Sequence, residues 1–163
     1  MIRCEWLVYE RRPRWVPALR LALESPQAAG NMSHRIREVR LLHEVASQML
    51  EHSATVVALE VHRGNFAEVL DLLRASDQHF PRARCTALLD RSLTTDATPT
   101  TSSAIADALR EAGAAEIADS PRRLHAIVRL AERQAAIVVS NAAPDGNLSI
   151  AAHAWASLPW QPR

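Results

Sequence analysis

The chain has 163 residues, 48% of them apolar and 23% charged, with a formal net charge of +1 at neutral pH. That length and apolar content suit one compact domain with a real core. The near-balanced charge gives no general pull toward nucleic acid or an anionic membrane, and no run approaches the roughly 20 apolar residues needed to span a bilayer. Glycine is scarce and alanine abundant, which favours a helix-rich domain over a β-sandwich. The opening MIRCEWLVYERRPR carries charges inside its apolar run and does not read as a secretory signal. Cys4 and Cys85 fall in separate predicted strands, so two buried thiols in a reduced, cytoplasmic protein are expected.

Short apolar runs alternate with helical stretches. Glu5 to Glu10 (EWLVYE) reads as a first strand. Trp15, Leu19, Ala22 and Leu23 form a helical stripe that tolerates Pro17 near its first turn. Gly30-Asn31 marks a turn. Ile36 to Leu41 reads as a second strand whose arginines suit a sheet edge, where charge discourages further pairing. Leu42, Val45, Ala46, Met49 and Leu50 follow at helical spacing. Ala54 to Val61 (ATVVALEV) is the clearest strand, a continuous apolar run of the kind buried on both faces.

Asn65 and Glu68 resemble a capping box ahead of the stripe Phe66, Val69, Leu70 and Leu73. A fourth strand runs from Cys85 to Leu89. The Thr- and Ser-rich segment Ser92 to Ser103 reads as a long loop. Ile105, Ala108, Leu109 and Ala112 give the next helix, which Gly113 is placed to end. Ala114 to Asp119 reads as a short fifth strand. Ser120 caps and Pro121 starts the last helix, with Leu124, Ile127, Val128, Ala131 and Ala135 as its stripe. The expected division is a domain over residues 1–140 and an irregular tail over 141–163. That tail carries Trp155 and Trp160, either folded back on the domain or offered to a partner.

Five strands alternating with five helices argue for a parallel sheet covered on both faces. In a doubly wound sheet of order 2-1-3-4-5, the working crevice lies beyond the carboxyl ends of strands one and three. Those ends are Glu10 and Glu60.

Three segments at these positions resemble the receiver domain of response regulators. TVVALEV at Thr55 to Val61 is similar to the receiver's third strand, with Glu60 at the phosphoacceptor position. LVYERR at Leu7 to Arg12 is similar to its first strand and acidic pair, with Tyr9 and Glu10 the nearest matches. Gly113-Ala114, followed after five residues by Ser120-Pro121, resembles the receiver's Gly-Ala and Lys-Pro spacing. The resemblance covers residues 4 to 139 and implies a flavodoxin-like three-layer α/β/α fold.

The departures point away from phosphoryl chemistry. Positioning and charge stabilisation supply nearly all of the catalysis in phosphoryl transfer. Ser120 stands where the resemblance has the charge-compensating lysine, and the sensing hydroxyl is replaced by Leu89 or Asp90. The acidic pair is reduced to Glu10, beside Arg11 and Arg12. Glu60 is longer than aspartate by a methylene, and one acid flanked by arginines is a poor start for octahedral Mg²⁺. Glu10, Glu60, Asp90 and Ser120 are therefore read as a degenerate phosphoacceptor pocket. Glu60 itself reads as a strand-end carboxylate paired with Arg63 or Arg11, or else as a fixed negative charge mimicking an aspartyl phosphate.

No Gly-rich phosphate cradle, zinc spacing or hydrolase motif is present, and no cofactor is expected: His43-Glu44 lacks the second histidine of HExxH, and no G-x-S-x-G occurs. The expected function is a non-enzymatic signalling or interaction module. By the resemblance, it docks a protein or a second copy of itself through the helix before the fifth strand, that strand and the helix after it. Arg110, Glu111, Arg122, Arg123, Arg129, Glu132 and Arg133 give this face its mixed charge. The alternative is a small-molecule or nucleotide-binding protein, possibly an enzyme, using the crevice near Glu10, Arg11, Glu60, Asp90 and Ser120. That alternative needs a concave cavity, whereas the interaction reading predicts a filled or shallow crevice.

Overall fold

The computed structural model describes residues 2–24, 32–51, 54–95 and 98–142. Gly30-Asn31, Trp155 and Trp160 lie outside them. Five strands, β1 (Ile2–Tyr9), β2 (Met32–Val39), β3 (Val56–Val61), β4 (Arg84–Leu89) and β5 (Glu116–Ala118), form one sheet in the order β2-β1-β3-β4-β5. Every pairing is parallel. The connecting helices are α1 (Trp15–Leu23), α2 (Leu42–Glu51), α3 (Phe66–His79), a single turn α4 (Arg91–Thr94), α5 (Pro99–Glu111) and α6 (Leu124–Ala142). This is the expected flavodoxin-like α/β/α sandwich.

Strand β3 is central, and all six of its residues are buried, which its uninterrupted apolar run anticipates. The sheet divides two cores. On one face α2, α3 and α5 pack Val45, Leu73 and Leu109 onto Leu7, Val57, Leu59 and Ala87. On the other, α1 and α6 pack Trp15, Leu19, Ile127 and Ala131 onto Trp6, Val8 and Ala58. Trp6 and Trp15 are the largest side chains of this second core. Cys4 and Cys85 are both free and buried on opposite faces, and burial pushes their thiols up to about 12 and about 11.

Edge strand β2 starts at Met32, four positions before the expected Ile36, and β1 starts at Ile2 rather than Glu5. An edge strand needs little apolar content, because one of its rims faces solvent. Residues such as His34 and Arg35 therefore extend β2 without announcing it.

The Ser92 to Ser103 segment is not one loop: α4 interrupts it and α5 begins at Pro99. Thr98 caps α5 by accepting the Thr101 N–H at 3.2 Å, and Pro99 sits in the first turn, where no amide donor is missed. The expected capping box at Asn65 is absent. The Asn65 amide spans the β3–α3 loop instead, accepting from the His62 N–H at 2.8 Å and donating to the Glu60 carbonyl at 2.9 Å. Ser120 makes no side-chain cap either: Pro121–Arg123 forms a 3-10 turn, and α6 starts at Leu124. Gly113 ends α5 as expected. Its φ of 111° belongs to the left-handed region that L side chains avoid, and its N–H returns to the Arg110 carbonyl at 2.9 Å.

Candidate functional site

Strand order reverses between β1 and β3, so a crevice opens where their carboxyl ends diverge. Tyr9 pairs with Leu59, which brings Glu10 and Glu60, one residue on, to the same end of the sheet. Tyr9 is buried in the core rather than facing the crevice, and burial raises its phenol above the ordinary value.

Glu10 is fully buried. Its Oε2 accepts the main-chain N–H groups of Arg14, Trp15 and Val16 at 2.9, 2.6 and 3.3 Å. These are orphan donors at the start of α1, and a carboxylate also complements the positive end of the helix dipole. Oε1 has no hydrogen-bond partner, and the Arg40 guanidinium lies 3.9 Å from it. Arg40 also donates to the Glu10 carbonyl at 3.2 Å and pairs with Glu38. Glu10 is thus a helix cap turned into the fold.

Glu60 is 5% exposed, and its Oε2 accepts the Arg11 N–H at 2.7 Å. Of the arginines expected beside it, Arg11 does meet Glu60, through its main chain. Glu10 and Glu60 therefore hold the Arg11–Arg14 loop at both ends. Asp90 begins α4, its Oδ2 accepting the Ser92 N–H at 3.1 Å while Oδ1 lies 3.5 Å from Arg14 Nη1. Burial opposes ionisation of Asp90, but hydrogen bonds from Ser92 and the Arg91 amide, with the Arg14 charge, outweigh it and hold the carboxyl below its ordinary value.

Between these groups lies an open cleft of about 610 Å³. Arg11, Arg12, Arg14 and Arg91 line it, with His62, Glu60, Asp90 and Pro121. Arg14 stacks on the Trp15 ring with its guanidinium carbon 4.5 Å from the centroid, and Arg11 Nη1 lies 3.5 Å from His62 Nε2. The expectation of a filled or shallow crevice does not hold. Of the four expected pocket residues, Glu60 and Asp90 line the cleft, Glu10 turns away, and Pro121 rather than Ser120 reaches the wall. His62 and Arg91 were missed by sequence reasoning. Each stands one residue past a strand-end residue already singled out, next to Val61 and Asp90, and that adjacency was the available signal.

A receiver's Mg²⁺ does not fit these residues. It would need oxygen ligands converging in octahedral array. Here Oε2 of Glu10 and Oε2 of Glu60 already accept backbone donors, and arginines occupy the surrounding wall. Among the described residues no cluster of three or more His, Cys, Asp or Glu side chains could hold a metal ion.

The expected interaction face wraps the β5 edge, since α5 and α6 cover opposite sides of the sheet there. Arg110, Glu111, Arg122, Arg123, Arg129 and Arg133 are exposed, while Glu132 is half-buried. Arg110 pairs with Asp107 at 3.3 Å and Arg123 with Asp119 at 3.4 Å. At the opposite end of the sheet, Met49, Phe80, Pro81 and Val138 line a smaller cavity of about 290 Å³, with His79 and Arg82 also on its wall. Among the described residues no helix is long and apolar enough to cross a membrane.

No protein-family model and no curated protein matches the sequence. Solved structures do match the fold. A response regulator from Thermotoga maritima superposes with a TM-score of 0.62 at 16% identity, covering 83% of this chain and 99% of that one. The receiver domain of RcsB from Salmonella enterica serovar Typhimurium, solved with phosphomimetic BeF₃⁻, gives 0.58 at 14% identity over 80% and 89% of the two chains. A putative pilus assembly-related protein from Burkholderia pseudomallei gives 0.56 at 18% identity, over 80% and 90%. The chain therefore has the fold of response-regulator receiver domains.

Proposed function

We propose that this chain is a receiver-like signalling module that is not phosphorylated, is not an enzyme, and works by docking a protein partner. The carrying observation is the burial of Glu10, whose carboxylate closes the start of α1 instead of facing the crevice. Phosphoryl transfer to Glu60 would need acids converging on Mg²⁺ and a compensating lysine. Here Glu60 holds the Arg11 amide and residue 120 is serine. The receiver fold then serves as a surface; the open cleft departs from the filled crevice this reading predicts, and it lies at the strand ends, apart from the proposed docking face. The proposed docking face is α5–β5–α6, where Arg122, Arg129 and Arg133 present charge on one side of the edge strand. The proposed setting is the cytoplasm, since Cys4 and Cys85 sit in different cores and neither depends on oxidation to hold the fold.

The test is a challenge with acetyl phosphate and with beryllofluoride in the presence of Mg²⁺, read by intact mass and by amide shifts around Glu60. No adduct and no Mg²⁺-dependent shift are expected. A Mg²⁺-dependent adduct on Glu60 would overturn the reading.

A further inference from the structure

We propose that the cleft beyond β1, β3 and β4 is a reversible, metal-independent binding site for a small molecule carrying two or more phosphate groups. Four guanidinium groups line it against two carboxylates. Both carboxylates are already engaged: Glu60 by the Arg11 N–H, Asp90 by the Ser92 N–H and the Arg14 charge. The field left in the cleft is positive, and cleft walls concentrate it.

The cationic loop is also held in place. Glu60 fixes it at Arg11, Glu10 fixes it at Arg14, and the Arg14 guanidinium rests on the Trp15 ring. A ligand would meet arginines whose backbone is ordered in advance, which lowers the entropy lost on binding. Guanidinium groups suit phosphate because their planar forks donate two parallel hydrogen bonds.

The shape selects a small ligand. The cavity lies within the roughly 300–1,000 Å³ usual for small-molecule sites. Among the described residues Pro121 is the one apolar side chain in its wall, and no Phe, Tyr or Trp ring lines it for base stacking, the small His62 imidazole being the single ring besides proline. Recognition therefore falls on the phosphates. The excess of guanidinium groups over carboxylates calls for more than one of them.

Pyrophosphate is the probe, titrated without Mg²⁺ and followed by calorimetry and amide shifts. Saturable binding is expected, with shifts centred on Arg11 to Trp15, His62 and Arg91, and affinity about tenfold or more above that for inorganic phosphate. Arg12→Glu and Arg91→Glu, both at exposed positions, should each weaken binding by about tenfold or more. Arg74→Glu, an equal charge change on α3, should leave it unaltered. No saturation by about 10 mM, equal affinity for inorganic phosphate, or equal weakening by Arg74→Glu would each overturn the site. Failure here leaves the docking proposal standing, because that proposal rests on the burial of Glu10 and is tested by a Mg²⁺-dependent covalent adduct, which pyrophosphate binding does not read.

Discussion

A carboxylate shut away from water must find donors, and Glu10 finds three amides at the first turn of α1. Glu10→Ala leaves those amides orphaned beside a cavity, and a loss of about 2–3 kcal/mol in urea unfolding is expected. Glu10→Gln keeps an acceptor but loses the charge opposite the helix dipole, so a smaller loss of about 1 kcal/mol is expected.

His34 is a residue whose protonation state carries structure. The Trp6 indole N–H donates to His34 Nδ1 at 3.2 Å, so that nitrogen must be free of a proton. Burial lowers the His34 pKa below its ordinary 6.5. The neutral ring therefore stabilises the fold above that ordinary value, and the contribution is lost as pH falls through the lower folded value. Stability should decline on acidification below about pH 6.5. His34→Gln, which can accept the same hydrogen bond without titrating, should flatten that decline in pH-dependent melting.

The thiols carry the opposite sign at the other end of the scale. Their protonated forms stabilise the fold below the ordinary thiol value of 9.0, and this is lost as pH rises toward about 11 at Cys85 and about 12 at Cys4. Neither thiol should react with a disulfide reagent at neutral pH until denaturant is added.

At the scale of elements, legibility followed the depth of burial. The α6 stripe of Leu124, Ile127, Val128, Ala131 and Ala135 is buried throughout, and β3 lies where its apolar run put it. A buried element must write its environment into its sequence at a fixed period. The start of α5 escaped because residues 99–104 are all exposed. Exposure imposes no apolar period on them, and the Thr/Ser run reads as loop although Thr98 and Pro99 form a serviceable start. Thr98→Ala should destabilise α5 by about 1 kcal/mol and speed hydrogen exchange at the Thr101 amide.

The candidate site was half legible for a related reason. Which residues gather at the strand ends follows from topology, and Glu60 and Asp90 line the cleft where the strand order puts them. Where a side chain turns depends on which donors await it. Glu10 was misplaced because the orphan amides of a neighbouring helix leave no periodic trace in the sequence.

At the scale of the molecule, the two proposals fall on distinct regions: a cationic cleft at one end of the sheet and a charged face around the β5 edge. Arg129→Glu combined with Arg133→Glu lies on the exposed side of α6. Each change should alter stability by no more than about 0.5 kcal/mol, so any loss of docking reads the surface and not the fold. The first partner to test is a second copy of the chain, by sedimentation over a wide concentration range. Self-association through this face should disappear in the double variant.

The inward turn of Glu10 also sets how far the crevice can be re-engineered. Glu60→Asp with Ser120→Lys would restore two groups that the receiver resemblance lacks. The expected result is still no labelling by acetyl phosphate, because the remaining acid would have to abandon the first turn of α1 to reach an incoming cation. Anchorage and reactivity compete here for the same pair of oxygens, and gaining either one means giving up the other.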